Sequence, residues 1–325
     1  MKKFIVITTI NSKSAGIERF EQLDDWHIVL VGDRKSPPIE SSDRLTFLSV
    51  EAQQALGYSI VEVCPYNHYT RKNIGYLYAM QQGADVIYDT DDDNLPYPHW
   101  ALSPFACNRQ LVGQRRYVNI YRHFTDEAIW PRGYPLDEIL QPAAYEVVDT
   151  DEVEIGAWQG LADDDPDVDA IYRLVVGKAI QFEDRESVFL GQEEYCPFNS
   201  QNTFWNKKAF PYLYLPATVS FRYTDILRGY LAQYLMWQQG LHLGFTKATV
   251  YQERNEHNLI KDFESEVEVY LHTKPIVDLL ARSKDLGDPL AALRTVYETL
   301  VGQRFVQPEE LAICKAWVND CQTLL

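Results

Sequence analysis

Four aspartates fall within five residues, Asp89, Asp91, Asp92 and Asp93, in the run Val86-Ile87-Tyr88-Asp89-Thr90-Asp91-Asp92-Asp93-Asn94. Carboxylates this close repel one another and gain nothing in a plain turn. At the end of an apolar, strand-like run they make sense if a divalent cation neutralises them, and hard oxygen ligands suit Mg2+ or Mn2+. Asp91 and Asp93 are the expected metal ligands, with Asp89 or Asp92 assisting. Such an ion, held by one or two carboxylates, takes its other ligands from substrate phosphates and water. A solvated acidic loop or a Ca2+ site is the alternative.

A second cluster, Tyr69-Thr70-Arg71-Lys72-Asn73, opens the helix before that strand. Basic side chains there oppose the helix dipole, which fits if a diphosphate or an acidic turn lies nearby. Ion pairing with the aspartates, with no ligand contact, is the other reading. Thr8-Thr9-Ile10-Asn11 and Gly32-Asp33-Arg34-Lys35 end two earlier strands, and Thr8, Thr9 and Asp33 are candidates to hold a nucleotide base and ribose; an ordinary turn fits each nearly as well. Residues 158–169 carry a second acidic run with five aspartates, of which Asp164 and Asp165 are candidates to orient substrate hydroxyls. An Asp-Pro turn explains part of that run. The amides Asn199, Gln201 and Asn202 could read a polyhydroxylated ligand or satisfy their own loop. Asp225 stands at a helix start, where it could be an N-cap with no further role or a carboxylate facing the acceptor.

The elements that must position these groups follow from periodicity. Phe4–Thr8, His27–Val31, Leu45–Leu48 and Asp85–Tyr88 read as strands. Ile17, Phe20 and Leu23 recur at helical spacing, and residues 70–82 form a helix stopped by Gly83. Strand–helix–strand alternation predicts an α/β fold with a mostly parallel, Rossmann-like sheet flanked by helices. Ligands of such sheets bind beyond the carboxyl ends of the strands, where every cluster above lies. Further strands are expected at 117–121, 170–176, 204–205 and 241–251, and a helix at 225–239. From about Asn258 the pattern is helical, with Pro308-Glu309-Glu310 opening the last helix. The expected division is a catalytic domain over 1–257 and a helical extension over 258–325.

The chain has 325 residues, with 30 Lys+Arg against 47 Asp+Glu, a net charge of −17. That balance argues against nucleic-acid binding and against polybasic docking on an anionic membrane. Five scattered cysteines (Cys64, Cys107, Cys196, Cys314 and Cys321) show no CxxC spacing and read as reduced thiols. The N-terminal apolar run is too short for a signal peptide, and no stretch reaches the length of a membrane helix. The expected location is cytoplasmic, with any membrane attachment supplied by partners.

Taken in order, Pro65–Asn67 with Tyr69–Tyr76, Val86–Asn94, Trp130–Leu136, Gln159–Arg173, Asn199–Asn202 and Phe221–Tyr230 resemble the STELLO family of glycosyltransferases over most of residues 1–255, with the helical tail outside the resemblance. The Asp-x-Asp after an apolar strand is likewise similar to the metal motif of GT-A glycosyltransferases. The resemblance implies a GT-A-type fold, a nucleotide-sugar donor (UDP-sugar preferred), Mn2+ or Mg2+, a glycan or glycoconjugate acceptor and a place in polysaccharide biosynthesis. It implies donor contacts for Arg71, Lys72, Asn73 and Asp92, an acceptor-side role for Asp225 (second choice Asp164 or Asp165), and a metal-side role for His257 after the last strand; a lone histidine is more often structural. STELLO proteins of plants are Golgi membrane proteins, and this sequence lacks their transmembrane region. Arg132-Gly133-Tyr134-Pro135 is similar to a segment of the reversibly glycosylated polypeptides, the UDP-arabinopyranose mutases, whose arginine becomes glycosylated. Three functions follow: a metal-dependent glycosyltransferase, a UDP-sugar mutase self-glycosylated at Arg132, or a non-catalytic scaffold that kept the fold. The sugar, the stereochemistry and the oligomeric state stay open.

Overall fold

Period-2 alternation in the first strands sorts side chains to the two faces of one sheet. In β1 (Lys3–Thr8) Phe4 and Val6 enter the larger core and Ile5 and Ile7 the smaller one. A computed structural model of the protein describes residues 1–142, 144–252, 258–283 and 287–325. After β1 come α1 (Ala15–Glu21), β2 (Trp26–Val31), β3 (Leu45–Leu48), α2 (Val50–Ala55), α3 (Ser59–Val63), α4 (Lys72–Gln81), β4 (Val86–Thr90) and β5 (Asn94–Pro96). The middle of the chain adds β6 (Ala106–Gly113), α5 (Tyr121–Phe124), β7 (Tyr145–Asp163), α6 (Ala170–Val175), β8 (Val188–Leu190) and β9 (Asn202–Asn206). It closes with α7 (Thr224–Trp237), β10 (Leu241–Gln252), α8 (Leu259–Leu280), α9 (Pro289–Gly302) and α10 (Glu310–Leu324).

Ten strands form one sheet in the order β3-β2-β1-β4-β9-β7-β6-β8-β10-β5, with β7 also pairing β10. The half carrying β3, β2, β1 and β4 is parallel. β9 then runs antiparallel to both β4 and β7. The sheet is therefore mixed: parallel pairing is continuous over the first four strands and recurs between β7 and β10 and between β6 and β8, with antiparallel pairs among them, so the expectation of a mostly parallel sheet holds only in part. Chain order reverses direction between β1 and β4, the switch point at which open α/β sheets bind ligands. α4 lies directly on that half. A Cβ on Gly75 would stand 2.6 Å from Val31 Cγ2 and 2.7 Å from Val6 Cγ1, so glycine sets the close approach.

Residues 170–176, expected as a strand, instead form α6, because Asp169 caps it by accepting the Tyr172 amide at 2.7 Å. The strand expected at 117–121 reduces to a single bridge from Tyr117 to Tyr195, and Tyr121 opens α5. No helix among the described residues is long and apolar enough to cross a membrane.

The C-terminal helices are sewn to the sheet layer by buried or partly buried carboxylates. Glu268 of α8 accepts the Ser220 amide at 2.7 Å. Glu310 of α10, fully buried, accepts the Ala217 and Thr218 amides at 3.0 and 2.8 Å. Its charge thus holds a loop, where the sequence pattern gave it to its own helix dipole. Asp320 accepts the Ser59 and Ile60 amides at the start of α3, at 2.8 and 2.9 Å. Val277, Leu300 and Trp317 sit in the same core as β1 and α4. A chain ending at residue 257 is expected to be insoluble or to melt without a cooperative transition. Each large apolar side chain uncovered costs about 1.5–3 kcal/mol, against a net stability of about 5–15 kcal/mol. A soluble 1–257 fragment with a sharp calorimetric transition would show the tail to be dispensable.

Candidate functional site

A cleft of about 380 Å³ opens beyond the carboxyl ends of β1, β2 and β4. Ten of the candidate residues line it: Thr8, Thr9, Asp33, Arg71, Asp91, Asp92, Asp93, Arg132, Gln201 and Asp225. The acidic turn is fixed from the side of α1. Ser14 Oγ donates to the Asp92 carbonyl, and a Cβ on Gly16 would meet the Asn94 carbonyl oxygen at 2.2 Å. Thr9 Oγ1 donates to Asp92 Oδ2 at 2.5 Å, tying the ends of β1 and β4 together across the switch point. Gln252 Nε2 at the end of β10 donates to Asp93 Oδ2 at 2.8 Å.

Asp91 Oδ1 accepts from Tyr69 Oη at 3.0 Å and from Lys72 Nζ at 3.2 Å. Burial raises its carboxyl, Lys72 lowers it, and Asp93 and Asp89 raise it again, which together leave it pushed up to about 7. A cation at the mouth of the cleft would reverse that balance. No three His, Cys, Asp or Glu side chains converge as a closed metal centre among the described residues. The donor set is instead that of an open site, with Asp91 and Asp93 facing a cleft where substrate oxygens could complete the shell; this fits Mg2+ or Mn2+. His257 lies outside the described residues.

Asp89 does not share that cleft. Strand alternation turns it to the opposite face of β4 from Tyr88, and it is fully buried. Lys72 Nζ pairs with its Oδ1 at 2.7 Å and Arg228 Nη1 with its Oδ2 at 2.9 Å. Lys72 is equally buried, and its ammonium also donates to the Thr90 carbonyl at 2.6 Å. Both residues, expected at the metal and at the donor, form a charge network beneath the acidic turn. Asn73 is buried too, exchanging two hydrogen bonds of 2.9 Å with the backbone of Leu215. Asn202 is used up inside the sheet, between Tyr88, Leu161 and Thr249.

On the far wall stands a guanidinium held by two carboxylates. Arg132 donates from Nε and Nη2 to Asp167 (2.7 and 2.8 Å), from Nη1 and Nη2 to Asp225 (3.0 Å each), and from Nη1 to the Arg222 carbonyl. Burial disfavours the Arg132 charge, but Asp167 and Asp225 more than offset it and hold the group protonated. A guanidinium nitrogen must give up a proton to become a nucleophile, so the geometry lends self-glycosylation at Arg132 no support. Asp225 is the second residue of α7, where Tyr223 is the N-cap, so the capping reading does not apply. Burial raises its carboxyl, but Arg132 more than offsets this and holds it below the usual carboxylate range.

The second acidic run contributes differently from expectation. Asp164 faces outward with φ +67° and accepts from Gln181, and Asp165 pairs with Arg173. Asp167 is the member that lines the cleft, and Asn199 Nδ2 donates to it at 2.6 Å. A β-strand signal over 145–163 would have moved attention past the end of β7 to that residue. Arg71 lines the opposite wall. It donates only to neutral acceptors, Gln53 Oε1 (2.9 and 2.5 Å) and the Cys64 carbonyl (3.2 Å), and forms no ion pair among the described residues.

Fold and cleft together define an α/β protein with a polar, carboxylate-rich cleft at the switch point of its parallel strands, the place where such sheets bind ligands. A family model described as STELLO glycosyltransferases matches residues 222–325. The chain is 28% identical to the Arabidopsis thaliana protein named "Probable glycosyltransferase STELLO1", over 98% of its own length and 44% of that protein's. It is 27% identical to "Probable glycosyltransferase STELLO2" of the same plant, with the same coverage. The chain thus spans less than half the length of these curated relatives. The STELLO resemblance is borne out, and it reaches through the helical tail, which the sequence motifs had left outside it.

Proposed function

We propose that this chain is a glycosyltransferase of GT-A type that takes a sugar from a nucleotide-diphosphate sugar, with UDP-sugar the preferred donor. The observation that carries the reading is the convergence of Asp91, Asp92 and Asp93 with Arg132, Asp167 and Asp225 on one cleft at the switch point. Thr8, Asp33 and the 67–69 segment line its β1–β2 end, where base and ribose would lie. Arg71, which pairs with no carboxylate among the described residues, supplies positive charge beside the place for a diphosphate. Mg2+ or Mn2+, held by Asp91 and Asp93, would supply Lewis-acid neutralisation of the leaving nucleotide. Asp225 and Asp167 face the acceptor side, both gripped by the Arg132 guanidinium. Because both oxygens of Asp225 already accept from the guanidinium, its basicity is low. It is suited to orient an acceptor hydroxyl more than to take its proton.

The test is thermal unfolding with UDP, GDP, CDP and dTDP, each with Mn2+ and with EDTA. UDP with Mn2+ is expected to stabilise the protein by about 2.7 kcal/mol at a hundredfold excess over Kd, about 4 °C for a chain of this size. EDTA is expected to remove the shift. Silence with all four nucleotides sinks the donor reading and leaves the scaffold one.

A further inference from the structure

We infer that Glu266, on the helical tail, is a positioning residue for the Arg132 clamp; its catalytic meaning rests on the glycosyltransferase reading above. Glu266 lies on α8 and is fully buried. Its Oε1 accepts from Arg222 Nε at 2.5 Å and its Oε2 from the Ala170 backbone amide at 2.7 Å. Tyr270 Oη, one turn on, donates to Oε2 at 2.5 Å and fixes the carboxylate from its own helix.

The two anchor points are what give this contact its reach. Ala170 lies three residues after Asp167, and Arg222 three residues before Asp225. Asp167 and Asp225 are the carboxylates that grip Arg132. One side chain of the tail therefore ties together the two chain segments that carry the jaws of the clamp. The Arg222 carbonyl is also an acceptor for Arg132 Nη1, so the anchored residue itself touches the held guanidinium. Ser265 and Glu268 add contacts to the amides of Arg222 (3.4 Å) and Ser220 (2.7 Å) on the same segment. Asp169 is pinned in turn by Trp130 Nε1 at 2.7 Å, two residues from Arg132. The distance between Asp167 and Asp225, and so the placement of an acceptor between them, is set from outside the cleft.

The test is Glu266→Gln in the full chain, which keeps the shape and one acceptor but loses the charge. Hydrogen exchange is expected to rise about 10-fold or more in peptides over 164–172 and 219–227, with the peptides of β1 and β4 unchanged. UDP binding with Mn2+ is expected to stay as in the wild type. Release of UDP from UDP-glucose or UDP-galactose is expected to fall roughly 10–100-fold, the scale of losing a supporting partner. Arg222→Gln cuts one arm only, so faster exchange is expected over 219–227 and not over 164–172. Unchanged exchange in both peptides of Glu266→Gln overturns the inference. So does a rise spread evenly over the molecule with a lower Tm, which marks a merely structural residue, and so does undiminished UDP release. Wild-type protein that binds no nucleotide refutes the donor reading instead, and the exchange pattern then decides the positioning claim alone.

Discussion

Replacing Asp91 and Asp93 together by asparagine is expected to abolish Mn2+-dependent nucleotide binding while the fold survives. Loss of a partner that merely supports a metal ligand costs about 10–100-fold, and loss of two direct ligands should exceed that. Isothermal titration of UDP in Mn2+ would read the change. The fold should tolerate the substitution because the carboxylates crowd one another. Burial and its acidic neighbours raise Asp91 to about 7, so its negative charge is a net cost to the metal-free protein. Asparagine keeps an acceptor for Tyr69 and removes that cost. The metal-free double variant should therefore melt at the wild-type temperature or above it. Unchanged nucleotide affinity in Mn2+ would remove both residues from the site.

The opposite pattern is expected of Asp89, two residues away. Asp89→Ala leaves the buried ammonium of Lys72 and the buried guanidinium of Arg228 without the carboxylate that pairs with both. Removing one partner from a buried ion pair costs about 3–5 kcal/mol, because the charge left behind has lost its water as well. Against a net stability of about 5–15 kcal/mol that is severe, and for a chain of this size it lowers Tm by about 4–7 °C. A normal Tm with weakened Mn2+ dependence would restore Asp89 to the metal. Calorimetry on the two sets of variants thus separates aspartates that serve the fold from those that serve a ligand.

That separation was within reach of the sequence and shows where the reading stopped. The strand before the acidic run is legible, and alternation along it puts Asp89 on the face of Ile87, inside the larger core, while Asp91 lies past the strand end. Counting the aspartates as one cluster hid the difference. The parallel half of the sheet, α4 and α7 were legible because their apolar periods are regular and Gly83 and Gly240, both at positive φ, mark the helix ends. The long β7 was not. Its first half is polar and partly exposed, Tyr145-Glu146-Val147-Val148-Asp149-Thr150-Asp151-Glu152, and only pairing with β6 makes it a strand. Without it the acidic run had no fixed register, so Asp164 and Asp165 stood out and Asp167 did not. Arg71, Lys72 and Asn73 follow one another in sequence, yet only Arg71 reaches the cleft wall, because the turn from a short 3-10 segment into α4 sends the next two inward. A helix start that is wholly buried shows no such sorting in its composition.

The carboxylate of Asp320 also sets a clock. The Ile60 amide it accepts lies 260 residues earlier in the chain. A ribosome adding about 5–20 residues per second needs roughly 13–52 s to span that interval. During that time α3 has a bare N-terminal turn, and the layer against which α4 packs lacks its outer cover. The parallel half of the sheet thus precedes by 260 residues the carboxylate that completes it. Over that interval its apolar surface is exposed and open to aggregation, and faster translation shortens the exposure.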